Sequence, residues 1–91
     1  MTVRWDERKR EKVLAERRID FADLEDLLYQ PYVEDRSLSY PEQYRIIGFV
    51  RGRLVTFIVE YREDVIGDFI WVVTAWKSTL QEKRIYEQET Q

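Results

Sequence analysis

Between Tyr44 and Trp76 the chain carries three runs rich in β-branched and aromatic residues: Y-R-I-I-G-F-V, R-L-V-T-F-I-V-E-Y and F-I-W-V-V-T-A-W. Such runs fit the pleated surface of a sheet. Arg51-Gly52 between the first two reads as a hairpin turn. The segment from Arg62 to Asp68 turns the chain again, with Gly67 free to take an unusual φ. An antiparallel sheet with one wet face should alternate apolar with polar residues. These strands do not. In 53–61, Val55, Phe57, Val59 and Tyr61 face one way, and Leu54 and Ile58 face the other. In 69–76, Phe69, Trp71 and Val73 oppose Ile70, Val72 and Trp76. Both faces need cover, and a chain of 91 residues has helices enough for one. The second face is therefore expected to meet another chain, either a copy or a different partner.

The flanks supply the helices. Val3 and Trp5 alternate with polar neighbours as a short first strand, and Asp6 can cap the helix that follows, to about Arg17. That helix has little apolar content beyond Val13, Leu14 and Ala15. A second helix is predicted from Asp20, where Phe21, Leu24, Leu27 and Leu28 form one stripe, and Pro31 ends it. Residues 34–41, E-D-R-S-L-S-Y-P, read as a polar loop. Thr79 and Glu82 have capping-box spacing, which predicts a last helix over Leu80–Gln88. The order is β-α-α-β-β-β-α, an α+β fold with a mainly antiparallel sheet in a single domain spanning 1–91.

Charge is laid out in blocks. Residues 4–18 hold seven basic and four acidic groups, residues 19–35 six acids and no base, and residues 36–53 four arginines against Glu42. A basic and an acidic side are expected, although solvated, charge-laced helices give the same pattern. Histidine and cysteine are absent. That removes the commonest general base, the commonest metal ligand and any disulfide framework, so no metal or cofactor is expected. The N-terminus lacks the apolar core of a signal peptide, and Phe69–Trp76 is too short to span a bilayer; a cytoplasmic protein is expected.

Several of these segments together resemble a known family. V-R-W-D-E-R-K near the start is followed by I-D-F, Q-P, Ile47-Gly48 and the turn glycine with Arg53-Leu54-Val55. V-V-T-A-W-K-S-T-L-Q-E-K-R-I-Y-E closes the series. In order and spacing these are similar to the BrnT-type toxins, ribonuclease toxins of bacterial type II toxin–antitoxin pairs with a RelE-like fold. That family shows W-D-x-x-K, then H-G-[IV]-x-F, then I-I-S-A-R-x-A-T-x-x-E-x-x-x-Y. The resemblance covers nearly the whole chain, and the family's element order agrees with the one read above. Three departures stand out. Arg17-Arg18 replaces H-G, Trp76 replaces the arginine of S-A-R, and Gln43 stands where an arginine often precedes the hairpin strand, with Arg45 close by.

The resemblance implies metal-independent RNA cleavage and neutralisation by a small antitoxin protein. In such cleavage the ribose 2′-oxygen attacks the adjacent phosphorus. One group takes the 2′ proton, another protonates the leaving 5′-oxygen, and cations hold the extra phosphate charge. Lys9, Arg53 and Lys77 are the candidate catalytic residues, with Glu42 and Tyr86 as further candidates. Arg51 and Trp76 are the candidate RNA contacts, Trp76 by stacking a base. Each has an ordinary reading beside this one. Lys9 is also a solvated helix lysine, Arg53 an exposed hairpin cation, Glu82 the capping-box acid, Tyr86 core and Trp76 packing. Lys77 keeps a cation beside the missing arginine. Weakened or absent ribonuclease activity is expected, and a non-catalytic interaction module with the same fold is the alternative.

Overall fold

The structure, a computed structural model, describes residues 2–91. Strand β1 (Thr2–Trp5) leads into helix α1 (Glu7–Arg17), and a 3₁₀ turn (Phe21–Asp23) runs directly into a one-turn helix, α2 (Leu24–Leu27). Strands β2 (Tyr32–Arg36), β3 (Gln43–Val50), β4 (Arg53–Glu63) and β5 (Asp68–Lys77) follow, and helix α3 (Leu80–Glu89) ends the chain. The five strands form one sheet in the order β1-β5-β4-β3-β2. Only the β1–β5 pairing is parallel.

Local chemistry explains most boundaries. The Asp6 carboxylate accepts the Arg8 and Lys9 amides, which fixes the start of α1. The Thr79 hydroxyl accepts the Glu82 amide while Glu82 accepts the Thr79 amide, so the capping box is complete. At the β3–β4 turn Arg51 (φ 50°) and Gly52 (φ 83°) both have positive φ, as a type I′ hairpin needs.

One face of the sheet is the core. Val3, Ile46, Val50, Val55, Phe57, Val59, Ile70, Val72 and Ala75 pack there against Val13 of α1 and against Ile19, Phe21, Leu24 and Leu27. Gly48 lies in the same face, where an added Cβ would sit 2.2 Å from a Leu27 methyl. The glycine is the gap into which α2 settles.

Three expectations are corrected. The polar loop over 34–41 begins only after Arg36, because Tyr32–Arg36 is the fifth strand and pairs antiparallel with Tyr44–Gly48. Its acids misled the reading: as the outermost strand it buries only Val33, leaving Glu34 and Asp35 near water. The second helix is a single α-turn behind a 3₁₀ turn, because Phe21, Leu24 and Leu27 reach the core within that length. Trp76 shares its face with Trp71, not with Ile70 and Val72. The register shifts between Ile58 and Val59, so that Ile58 faces Thr74 and Val59 faces Val72. Val73 is the extra residue of a bulge, and everything after it changes side.

The second face is only partly covered. Helix α3 lies over the β2–β3 end, where Tyr86 meets Phe49 edge-on at 5.4 Å and its hydroxyl donates to the Pro31 carbonyl. Tyr86 is half-buried against this face and lies outside the main core. Further along, Ile58, Trp71 and Trp76 remain half-buried, with Trp76 bordering α3 at Glu82.

Candidate functional site

The two residues that the sequence sets side by side, Trp76 and Lys77, point in opposite directions. Neighbours in a strand alternate faces. Trp76 pairs with Thr56 on the outer face, and Lys77 pairs with Val55 on the core face at the sheet's end. Lys77 therefore does not stand in for a cation at the Trp76 position.

Lys77 has other company. Arg53 lies on the same face of β4, diagonal to Lys77 across the β4–β5 register. Diagonal neighbours in such a pair are about 7–8 Å apart, within reach of two long cationic side chains. The Arg53 guanidinium donates to the Arg18 and Arg17 carbonyls, satisfying the end of α1. Arg17 donates to the Ala75 carbonyl at 2.9 Å, beyond Val72 where the β1 pairing stops. It thereby blunts a stretch of open strand edge. Arg17, Arg18, Arg53 and Lys77 are thus gathered where α1 ends against β4 and β5. None of the four has a carboxylate partner among the described residues. Arg4, Arg10, Arg45, Arg51 and Arg62 all do.

The remaining candidates lie elsewhere. Lys9 is exposed near the start of α1, eight residues from Arg17, a rise of roughly 12 Å along the helix. Arg51 is engaged by both oxygens of Asp23, and this pair holds its guanidinium charged above the ordinary range. Glu42 is exposed in the loop before β3.

Trp76 belongs to a different site. Its indole N–H donates at 3.0 Å to Glu82, a carboxylate only 4% exposed. The same Glu82 oxygen accepts the Thr56 hydroxyl at 3.0 Å and the Thr79 amide at 2.8 Å. The other oxygen lies 3.6 Å from the Arg45 guanidinium, which is held in turn by both oxygens of Asp35. Asp35, Arg45, Glu82, Ile58, Leu38 and Trp76 line a groove of ≈ 540 Å³ on the outer face. Capping-box spacing revealed one of the four bonds of Glu82. The other three depend on strand register and have no local signature.

Chemically, the α1–β5 cluster is a set of cations without counter-charge, suited to phosphate oxygens. The groove pairs an indole and apolar side chains with a closed Asp35–Arg45–Glu82 network. Among the described residues no three acidic side chains come together as a metal ion would require. Sequence reasoning missed Arg17 and Arg18 as members of the cationic cluster, although the doublet at a helix end was a visible sign. No protein-family model matches the chain, and no curated protein matches it either.

Proposed function

We propose that this chain is a divergent BrnT-type toxin homologue with a RelE-like fold, acting in the cytoplasm and neutralised by a small antitoxin protein. It binds RNA through the cations at the end of α1, and its cleavage is weakened relative to relatives with an arginine at the Trp76 position. One observation carries the RNA side of this reading: Arg17, Arg18, Arg53 and Lys77 come together at the end of α1 with no carboxylate partner among the described residues. Unpaired cations on one surface are what a phosphate backbone recruits. The weakening follows from Trp76. An indole that donates its only N–H to Glu82 has none left for a phosphate oxygen.

The test is expression of the chain without a partner, following growth and bulk RNA, beside Lys77→Ala and Arg53→Ala. Slow RNA loss that both variants abolish is expected. Vigorous degradation that neither variant alters would place the chemistry elsewhere.

A second reading, a non-catalytic interaction module, is favoured by the Asp35–Arg45–Glu82 network, in which three of the groove's charged groups engage one another. It predicts no RNA loss in any variant, together with a stable complex through the outer face.

A further inference from the structure

On the core side of the sheet, beyond α2, a groove of ≈ 450 Å³ is walled by Tyr29, Tyr32 and Tyr61. Its floor is Leu28 and Ile70, and Glu25 and Asp26 stand at its rim. No lysine or arginine lines it. The Tyr61 hydroxyl donates to Glu34 at 2.6 Å, and its ring meets Tyr44 edge-on at 5.1 Å, so this wall is fixed. Burial, and then the Glu34 carboxylate, push the Tyr61 phenol above its ordinary range, and it stays a neutral ring. Tyr29 is 89% exposed, and neither its hydroxyl nor that of Tyr32 has a protein partner among the described residues. Tyr29 and Tyr32 thus leave their hydroxyls free beside this open space.

The chemistry of the lining selects the occupant. Aromatic faces attract a cation through their quadrupole, and carboxylates at the rim add charge and hydrogen-bond acceptors. An anion would meet Glu25, Asp26 and Glu34 with no compensating base. Five of its seven lining residues also come from 19–35, the stretch with six acids and no base. Beside it runs β2, an edge strand of the sheet, which carries Tyr32 and Glu34. A partner segment can therefore lie along this border and turn one side chain inward. We propose that this groove receives an arginine side chain from a basic segment of a partner protein. The planar guanidinium stacks on the tyrosine rings while its N–H groups reach Glu25 and Asp26. Tyrosine and arginine are also the residue types that most often dominate interface energies. The inference is independent of the ribonuclease reading, since it uses none of the cations at the end of α1.

Fluorescein-labelled octa-arginine, followed by anisotropy with the full chain at low ionic strength, tests it. Tyr29→Ala should weaken binding roughly two- to fivefold, the scale of one exposed cation–π contact. Tyr29→Phe should retain binding, because the ring face acts and not the hydroxyl. Glu25→Gln/Asp26→Asn should weaken it and flatten its salt dependence. All these side chains are exposed, so the fold is not at risk. Absence of binding, or equal binding by the native chain and Tyr29→Ala, would overturn the proposal. So would an RNA oligonucleotide whose binding is lost in Tyr29→Ala.

Discussion

Arg18 ends α1 with φ 57° and ψ 38°, in the left-handed region. A side chain there crowds its own carbonyl, at a cost of roughly 1–2 kcal/mol that glycine avoids. A glycine would take this conformation without that cost. Arg18→Gly should stabilise the fold by about 0.5–1 kcal/mol, after allowing for the greater freedom of glycine in the unfolded chain. Urea titration checks this, and a fall in stability would refute it. The substitution also removes one of the four clustered cations, so RNA binding should weaken while stability rises. Opposite signs in the two measurements separate a role in binding from a role in folding. Arg51 occupies the same region at the hairpin, where the type I′ turn requires it and its guanidinium pairs with Asp23.

At the scale of elements, the short α2 depends on its seat. A four-residue helix has too few hydrogen bonds to hold itself, so packing must do so. Gly48→Ala places a methyl against Leu27 and should cost about 1–3 kcal/mol. Thermal unfolding reads this, and an unchanged midpoint would mean that α2 shifts freely. The link between α1 and the 3₁₀ turn is electrostatic: Arg10 donates to both oxygens of Asp20. The guanidinium holds the Asp20 carboxyl below its ordinary 3.8, against the opposing effect of burial. A depressed folded pKa stabilises above the ordinary value and loses that contribution as pH falls through the depressed one. Stability should therefore drop below about pH 3.8, and Asp20→Asn should make the decline shallower. An acid titration of unfolding with the same slope for both proteins would remove this pair from the account. Three elements were legible from the sequence because their signals are local: the Asp6 cap, the Arg51-Gly52 turn and the Thr79/Glu82 box. β2 and the β5 bulge were not. An edge strand is defined by its neighbour, and a bulge by the register of two strands, so neither leaves a periodic trace in one segment.

For the whole molecule, the question is what the outer face of the sheet does. Ile58, Trp71 and Trp76 are half-buried in the single chain, and the expectation that another chain covers them rests on that area. Sedimentation should show self-association, or a tight complex with a co-expressed partner protein; a clean monomer without affinity for one would refute it. The proposed ribonuclease activity turns on Trp76 of the same face. In the native chain Glu82 takes the indole N–H, and Arg45 is engaged by Asp35. A guanidinium at position 76 finds Glu82 ready to orient it, and five N–H donors replace one. Removing one transition-state donor from an enzyme typically costs about a hundred- to a thousand-fold in rate. Restoring one should recover part of that, if the groove is a weakened form of the family's site. Trp76→Arg is therefore expected to accelerate RNA loss on induction by at least about tenfold, and Trp76→Phe to leave it slow. The phenylalanine variant keeps an aromatic ring and loses the N–H, so it separates the effect of new charge from that of simply freeing Glu82. If RNA loss stays flat in Trp76→Arg while the protein remains folded, the groove has no latent catalytic geometry. If native chain and variants alike show no RNA loss, the interaction-module reading stands in place of the ribonuclease one.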